Sequence, residues 1–238
     1  MISTEHDFIF VHPPKTGGNT MHKILQPYYD PSIIIQFKHN GMGPGQGVAT
    51  YVENPDSDLS RGPWDKRTVN APKKLPINKH LTYQQLLSSP LIVATKDMKF
   101  VSAIRNPWDR VVSYYCWASS PDSLSDWYST NSFNVSNLPC SSYWSGHYPD
   151  FVIRHECFES DVTQLLYYLS IPMPNSLAEN TINVSKARER EERDPLSYRE
   201  FYINKDGSYN EELIEKIRKD AQADIEFSEK IFIKPYDF

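Results

Sequence analysis

The sequence predicts an α/β domain of three layers, with a mainly parallel central sheet flanked by helices. Three observations carry this prediction. Phe8-Ile9-Phe10-Val11, Phe100-Val101-Ser102-Ala103-Ile104 and Phe151-Val152-Ile153 are short, nearly unbroken apolar runs, the pattern of strands covered on both faces rather than one. The first two lead through a glycine- or proline-bearing turn into apolar residues at helical spacing, so strand, tight turn and helix occurs twice. No internal repeat or low-complexity tract interrupts that alternation.

Each element follows from local residue chemistry. The strand at Phe8 meets Pro13-Pro14 and Gly17-Gly18, and a helix is expected from about Asn19 to Gln26 with Met21, Ile24 and Leu25 inward. Ile33-Ile34-Ile35 is a short strand candidate. From Lys38 to Lys79 the chain carries five of its nine glycines and five prolines, which reads as a long irregular excursion. Thr82 and Gln85 then form a capping box, with Leu81 and Leu86 at the staple positions, so a helix starts at Tyr83 with His80 just outside it. Arg105 closes the strand at Phe100. Asn106-Pro107-Trp108-Asp109 is a strong helix start: Asn caps, Pro occupies the first turn and Asp faces the positive end of the dipole. Ser119 to Pro149 reads as a second excursion. After the strand at Phe151 come a helix from about Asp161 to Leu169, a charged loop over Lys186 to Asp194, and a last helix. That helix opens on Ser208 and Glu211 as a capping box and carries Leu213, Ile214, Ile217, Ala221 and Ile225.

Composition bounds the function. The 238 residues are 39% hydrophobic and 23% charged, with 15 Tyr, 11 Phe and 5 Trp, enough to bury a core within one domain spanning residues 1–238, with excursions at about 38–80 and 118–149. The net charge of -5 supplies no general attraction for nucleic acid or anionic lipid, so any anion site is local. Cys116, Cys140 and Cys157 are too few for a disulfide framework and lack metal-ligand spacing, which suits a reducing, cytoplasmic setting and no metal requirement. The short run at Phe8, preceded by Glu5 and Asp7, has neither the length nor the flanks of a leader or membrane anchor.

Two motifs carry chemistry, both where a strand hands over to a helix, which is where ligands sit on an open parallel sheet. Pro14-Lys15-Thr16-Gly17-Gly18-Asn19-Thr20 joins a lysine, two glycines and three hydrogen-bonding side chains at a helix N-terminus. Glycines let backbone approach an anion closely, first-turn N–H groups and the dipole favour negative charge, and Lys15 adds a full positive charge. The layout is P-loop-like, although the lysine precedes the glycines instead of following them. Arg105-Asn106-Pro107-Trp108-Asp109-Arg110-Val111-Val112-Ser113 supplies a guanidinium at the next strand end and a hydroxyl two turns into the helix, a pair suited to a second phosphate.

These segments resemble the sulfotransferases that use 3′-phosphoadenosine 5′-phosphosulfate (PAPS), particularly the branch with the heparan sulfate uronosyl O-sulfotransferases and their bacterial relatives. The family pattern looks like Pro-Lys-Thr-Gly-Gly-Thr-Ser after the first strand and Arg-Asn-Pro-Trp/Tyr-Asp-Arg-Leu-Val-Ser after a later one. This chain has Asn19, Thr20 and Val111 where that pattern has Thr, Ser and Leu. Looser likeness extends to Lys79-His80-Leu81-Thr82, Asp150 to Phe158, Asn183-Val184-Ser185-Lys186 and Asp224 to Phe227. The resemblance implies that Lys15, Thr16, Gly17, Gly18, Asn19 and Thr20 hold the 5′-phosphosulfate, that Arg105 and Ser113 hold the 3′-phosphate, and that Ser185 joins the nucleotide site. It implies PAPS as donor and PAP as product, with sulfuryl transfer to a hydroxyl acceptor, a sugar or glycan.

Sulfuryl transfer is an in-line displacement that needs a cation at the leaving oxygen and a base at the attacking hydroxyl. Lys15 is the expected cation and His80 the expected base, the latter because it stands between the two motifs and just before a helix start. His39 is the second choice, and Glu53 or Asp56 remain open. His12 is expected to support the loop, and His147 or His155 to line the acceptor side, where the aromatic residues from Tyr114 to Tyr148 suit a sugar face. A P-loop kinase is the alternative enzyme, disfavoured by the missing Gly-Lys-Ser/Thr and the lack of a placed acidic magnesium ligand. A noncatalytic nucleotide-binding protein is the alternative outside catalysis.

Overall fold

The structure is a computed structural model. It describes residues 2–3, 5–28, 34–38, 48–52, 80, 82–87, 97–118, 120–131, 139–174, 198–232 and 234–238, with backbone alone for 34–38 and 48–52 and for Asn19, His22 and Gln26. The strands are β1 (Ile2–Ser3), β2 (Phe8–Val11), β3 (Ile34–Lys38), β4 (Val48–Val52), β5 (Lys99–Ile104) and β6 (Phe151–Arg154). The helices are α1 (Gly18–Leu25), α2 (Tyr83–Leu87), α3 (Pro107–Ala118), α4 (Leu124–Asn131), α5 (Phe158–Tyr168), α6 (Glu211–Asp220) and α7 (Gln222–Ile231). The main sheet runs β1-β2-β5-β6, and β3 pairs with β4 in a separate antiparallel ribbon. β2, β5 and β6 are mutually parallel, in the registers Val11↔Ser102 and Ile104↔Arg154, whereas β1 is antiparallel to β2.

The apolar runs behave as expected of strands buried on both faces. Phe8 and Phe10 point to one side with Val101, Ala103 and Ile153, where α1 supplies Met21 and Leu25 and α5 supplies Val162 and Leu165. Ile9 and Val11 point to the other with Phe100 and Ile104, against Tyr83 and Leu86 of α2, Trp144 and Phe227. Successive side chains alternate across the pleat, so helices on both faces convert continuous apolar sequence into three layers. A third cluster joins Val111, Val112 and Tyr114 of α3 to Trp127 and Tyr128 of α4 and to Leu213 and Ile217 of α6. Among the described residues, no helix is long and apolar enough to cross a membrane.

The predicted caps form where their chemistry is local. Gln85 N donates to Thr82 Oγ1 at 3.2 Å and Thr82 N to Gln85 Oε1 at 2.9 Å, closing the box at α2. Asn106 Oδ1 accepts from Trp108 N at 3.2 Å ahead of α3. Three expectations are corrected. The second excursion contains α4, started by Ser123, whose hydroxyl accepts from Asp126 N and donates to its carboxylate, and a 3-10 turn at Cys140–Trp144. α5 begins three residues before the expected Asp161, which turns inward to pair with Arg154 at 2.5 Å and to accept from its backbone N. The final helix is two, α6 and α7, broken at Ala221. Its cap is Asn210, whose side chain accepts from Leu213 N, while the Ser208 hydroxyl donates to Asp206.

Candidate functional site

The carboxyl ends of β2, β5 and β6 lie side by side, and the segments leaving them build one site. The chain leaves β2 through His12-Pro13-Pro14 and turns sharply: Lys15 has φ +64° and Gly17 φ +86°, both in the left-handed region that glycine enters readily and lysine does not. The Thr16 hydroxyl donates to Pro13 O at 2.8 Å, and Gly17 O accepts from Thr20 N and Met21 N as the first carbonyl of α1. Thr16 is wholly buried and its hydroxyl belongs to the loop itself, so what it offers an anion is backbone N–H. Thr20 is buried one turn into α1. Asn19 lies on the same helix, with only its backbone described.

Gly18 is required by its neighbour, and Gly17 chiefly by its left-handed backbone. A Cβ on Gly18 would lie 1.7 Å from His12 Nε2, because the imidazole fills the space beside the helix start. One on Gly17 would meet Phe158 at 3.1 Å and His155 at 3.5 Å. His12 therefore supports the loop, as expected. Its carbonyl also takes a hydrogen bond from His80 Nδ1 at 2.7 Å, and the two rings meet edge to face with centroids 4.8 Å apart. The structure thus brings His80 to the root of the loop, three residues from Lys15.

Arg105 follows β5 directly, one position beyond the last strand residue, Ile104. It is 6% exposed, and its Nη1 donates to Lys15 O at 3.1 Å. Its guanidinium lies over the Tyr198 ring, 5.0 Å from the centroid, while its Nε is buried with no hydrogen-bond partner among the described residues. Lys15 Nζ lies over the Trp117 ring at 5.7 Å. Ser113 is buried on α3 one turn before Trp117, so the two share the helix face turned toward Lys15. The two motifs are therefore in direct contact, joined by the Arg105–Lys15 hydrogen bond.

A third strand end adjoins the loop. His155 and Glu156 follow β6; Glu156 Oε1 accepts from Asn106 N at 2.7 Å, and Asn106 Nδ2 donates to Asp237 O. His155 stands against Gly17. Burial first and the Arg105 charge second push its imidazole down to about 3, so it is neutral near pH 7. Burial also raises the Asp109 carboxyl against the opposing pull of Arg199 and Arg105. The signal for His155 was available, since the strand at Phe151 obeys the same strand-end rule as the other two. His147 goes elsewhere: its ring packs on Tyr83, which stacks on Phe100 at the second residue of β5, the opposite end from the loop. His39, Glu53, Asp56 and Ser185 lie outside the described residues. Among those described, no three His, Cys, Asp or Glu side chains are gathered to hold a metal ion.

This arrangement can hold anions at two adjoining points. The amides opening α1 and the Lys15 ammonium offer donors at one, and the Arg105 guanidinium offers donors at the other. A crystal structure of mouse sulfotransferase SULT7A1 complexed with PAP is similar at 17% identity, covering 92% of this chain and 85% of that one with a TM-score of 0.44. No curated protein matches the chain. The model of the sulfotransferase domain matches residues 5–155, a span that runs from just before β2 to His155 and includes all three strand ends; the chain belongs to the sulfotransferase domain family.

Proposed function

We propose that this chain, acting as one domain, transfers the sulfuryl group of PAPS to a hydroxyl of a carbohydrate, in the manner of the uronosyl O-sulfotransferase branch that its two motifs resemble. The observation that carries the reading is the 3.1 Å hydrogen bond between Arg105 and Lys15 O, which sets the two cationic motifs close enough to serve one nucleotide that is anionic at both ends. The residues present fit such a ligand. Arg105 keeps a buried N–H without a partner among the described residues, and Gly17 and Gly18 add no side chain of their own at the helix start, where His12, His155 and Phe158 pack. Lys15, Thr16, Gly17, Gly18, Asn19 and Thr20 hold the 5′ end, and Arg105 and Ser113 the 3′-phosphate, with Ser185 a further candidate.

When bound, PAPS supplies the sulfuryl group and a phosphate oxygen as leaving group. Lys15 stabilises the negative charge that grows on that oxygen, assisted by the loop amides. The bond between the acceptor oxygen and sulfur forms as the bond from sulfur to phosphate breaks, and the hydroxyl proton passes to His80. A backbone carbonyl only accepts, so the bond to His12 O places the hydrogen of neutral His80 on Nδ1 and leaves its basic lone pair on Nε2. A nearby anion site and a base of defined tautomer are what this displacement requires, and no step calls for a metal.

Calorimetric titration tests the reading. PAP binds tightly without magnesium and ATP negligibly; the reverse order would instead favour the kinase. Lys15→Ala and His80→Ala abolish sulfate transfer from labelled PAPS to a panel of glycans and alcohols, while His80→Ala still binds PAP. Absence of transfer by the wild type to every member of the panel would favour a noncatalytic nucleotide-binding protein.

A further inference from the structure

Lys15 adopts a backbone conformation that a lysine avoids, with φ +64°, and such a residue stays there only when its surroundings hold it. The peptide after it is fixed from one side by Thr16, whose hydroxyl donates to Pro13 O within the loop. From the other side the tie comes from 90 positions away in the chain, where Arg105 Nη1 donates to Lys15 O. Arg105 is itself well placed to act as a fixed post. It is 6% exposed and lies against the Tyr198 ring, and it follows the central strand β5, between β2 and β6.

We propose that Arg105 is a positioning residue for Lys15: its guanidinium holds the Lys15 carbonyl, and thereby the left-handed turn that aims the Lys15 amine and the Gly17-Gly18 amides at the 5′ end of the donor. The inference rests on the PAPS reading above and adds a role at the reacting end to a residue otherwise assigned to the 3′-phosphate. A guanidinium has several N–H groups in a rigid fork, so it can hold a carbonyl with one while others face a ligand. Donor binding and lysine placement are then coupled through a single side chain.

The test uses two nucleotides that differ only in the 3′-phosphate, PAP and adenosine 5′-monophosphate, with wild type, Arg105→Ala and Arg105→Lys. If Arg105 places the loop, adenosine 5′-monophosphate loses affinity about tenfold in Arg105→Ala, although it offers no 3′-phosphate to lose, and PAP loses more. Hydrogen exchange without ligand supplies an independent readout: peptides covering residues 12–18 exchange faster in the variant, while those from β5 and α5 do not. Arg105→Lys keeps the charge and guards against a folding failure, and it also speeds exchange in residues 12–18. Weakening of PAP alone, with monophosphate affinity and loop exchange as in wild type, would overturn the proposal. Failure of wild type to bind either nucleotide would sink the PAPS reading, while the exchange comparison would still judge whether Arg105 holds the loop.

Discussion

Gly18→Ala is the most direct probe of the loop, because the structure gives the size of the conflict. The new methyl carbon would sit 1.7 Å from His12 Nε2 and 2.0 Å from its neighbouring ring carbon, where ordinary contact begins at 3.4 Å. The imidazole must therefore retreat by about 1.7 Å, the shortfall from contact distance, and it meets His80 on the way, since the rings are in edge-to-face contact at 4.8 Å. Overpacking of this kind costs about 1–3 kcal/mol, offset by roughly 1 kcal/mol because alanine is the better helix residue. The net expectation is a loss of up to about 2 kcal/mol in urea unfolding, with sulfate transfer falling further than stability because His80 is displaced. His12→Ala in the same chain removes the obstacle, and a double-mutant cycle on stability then shows a coupling of about 1–3 kcal/mol. Gly17→Ala serves as the control. Its penalty comes from φ +86° and from Phe158, so His12→Ala does not relieve it. Wild-type stability and activity in Gly18→Ala, or a cycle without coupling, would refute the placement of His12.

Asp224 is wholly buried, accepts from Cys140 N at 2.6 Å and Ser141 N at 2.9 Å, and its charge faces buried Arg110. Asp224→Ala leaves two buried amides without their acceptor and removes a carboxylate that acts on Arg110, and is expected to lower unfolding free energy by about 2–4 kcal/mol, measured by urea titration; a loss below 1 kcal/mol would contradict the arrangement. His155 is held below its ordinary value of 6.5, so the folded state resists protonation that the unfolded chain accepts. Its contribution is intact above pH 6.5 and is lost as pH falls toward 3. Wild type should therefore lose about 1–2 kcal/mol between pH 7 and 5 that His155→Gln does not lose, and parallel stability curves would exclude this. At the head of α6, Asn210→Ala costs about 1 kcal/mol and Ser208→Ala little, and equal thermal shifts would return the cap to Ser208.

Much of the fold was legible because its signals are local. Continuous apolar runs mark β2, β5 and β6 since both faces are covered, and the caps at α2 and α3 are closed by residues two or three positions apart. The neighbourhood of Lys15 and Arg105 was also legible, because parallel strands bring successive strand ends together. What escaped detection depends on distant partners. Asp224 ties down the turn at Cys140 across more than eighty positions of chain, so nothing near Cys140 announces an ordered turn. Three apolar residues, Leu124, Trp127 and Tyr128, are all that α4 buries, too few for a periodic pattern. Asp161 stands where α5 was expected to begin and instead lies inside it, serving Arg154, a preference set by burial and not by sequence spacing. His155 had a readable position, but its closeness to Gly17 depends on the side-by-side packing of β2, β5 and β6.

The edge-to-face contact of His12 and His80 also gives the molecule a native spectroscopic reporter. Each imidazole lies in the magnetic anisotropy of the other, so the carbon-bound protons of both rings resonate away from their free-histidine frequencies. NMR of isotope-labelled protein can therefore follow the loop and the proposed base in one spectrum, and a ligand that shifts either ring relative to its neighbour registers at both sets of signals without an attached probe group.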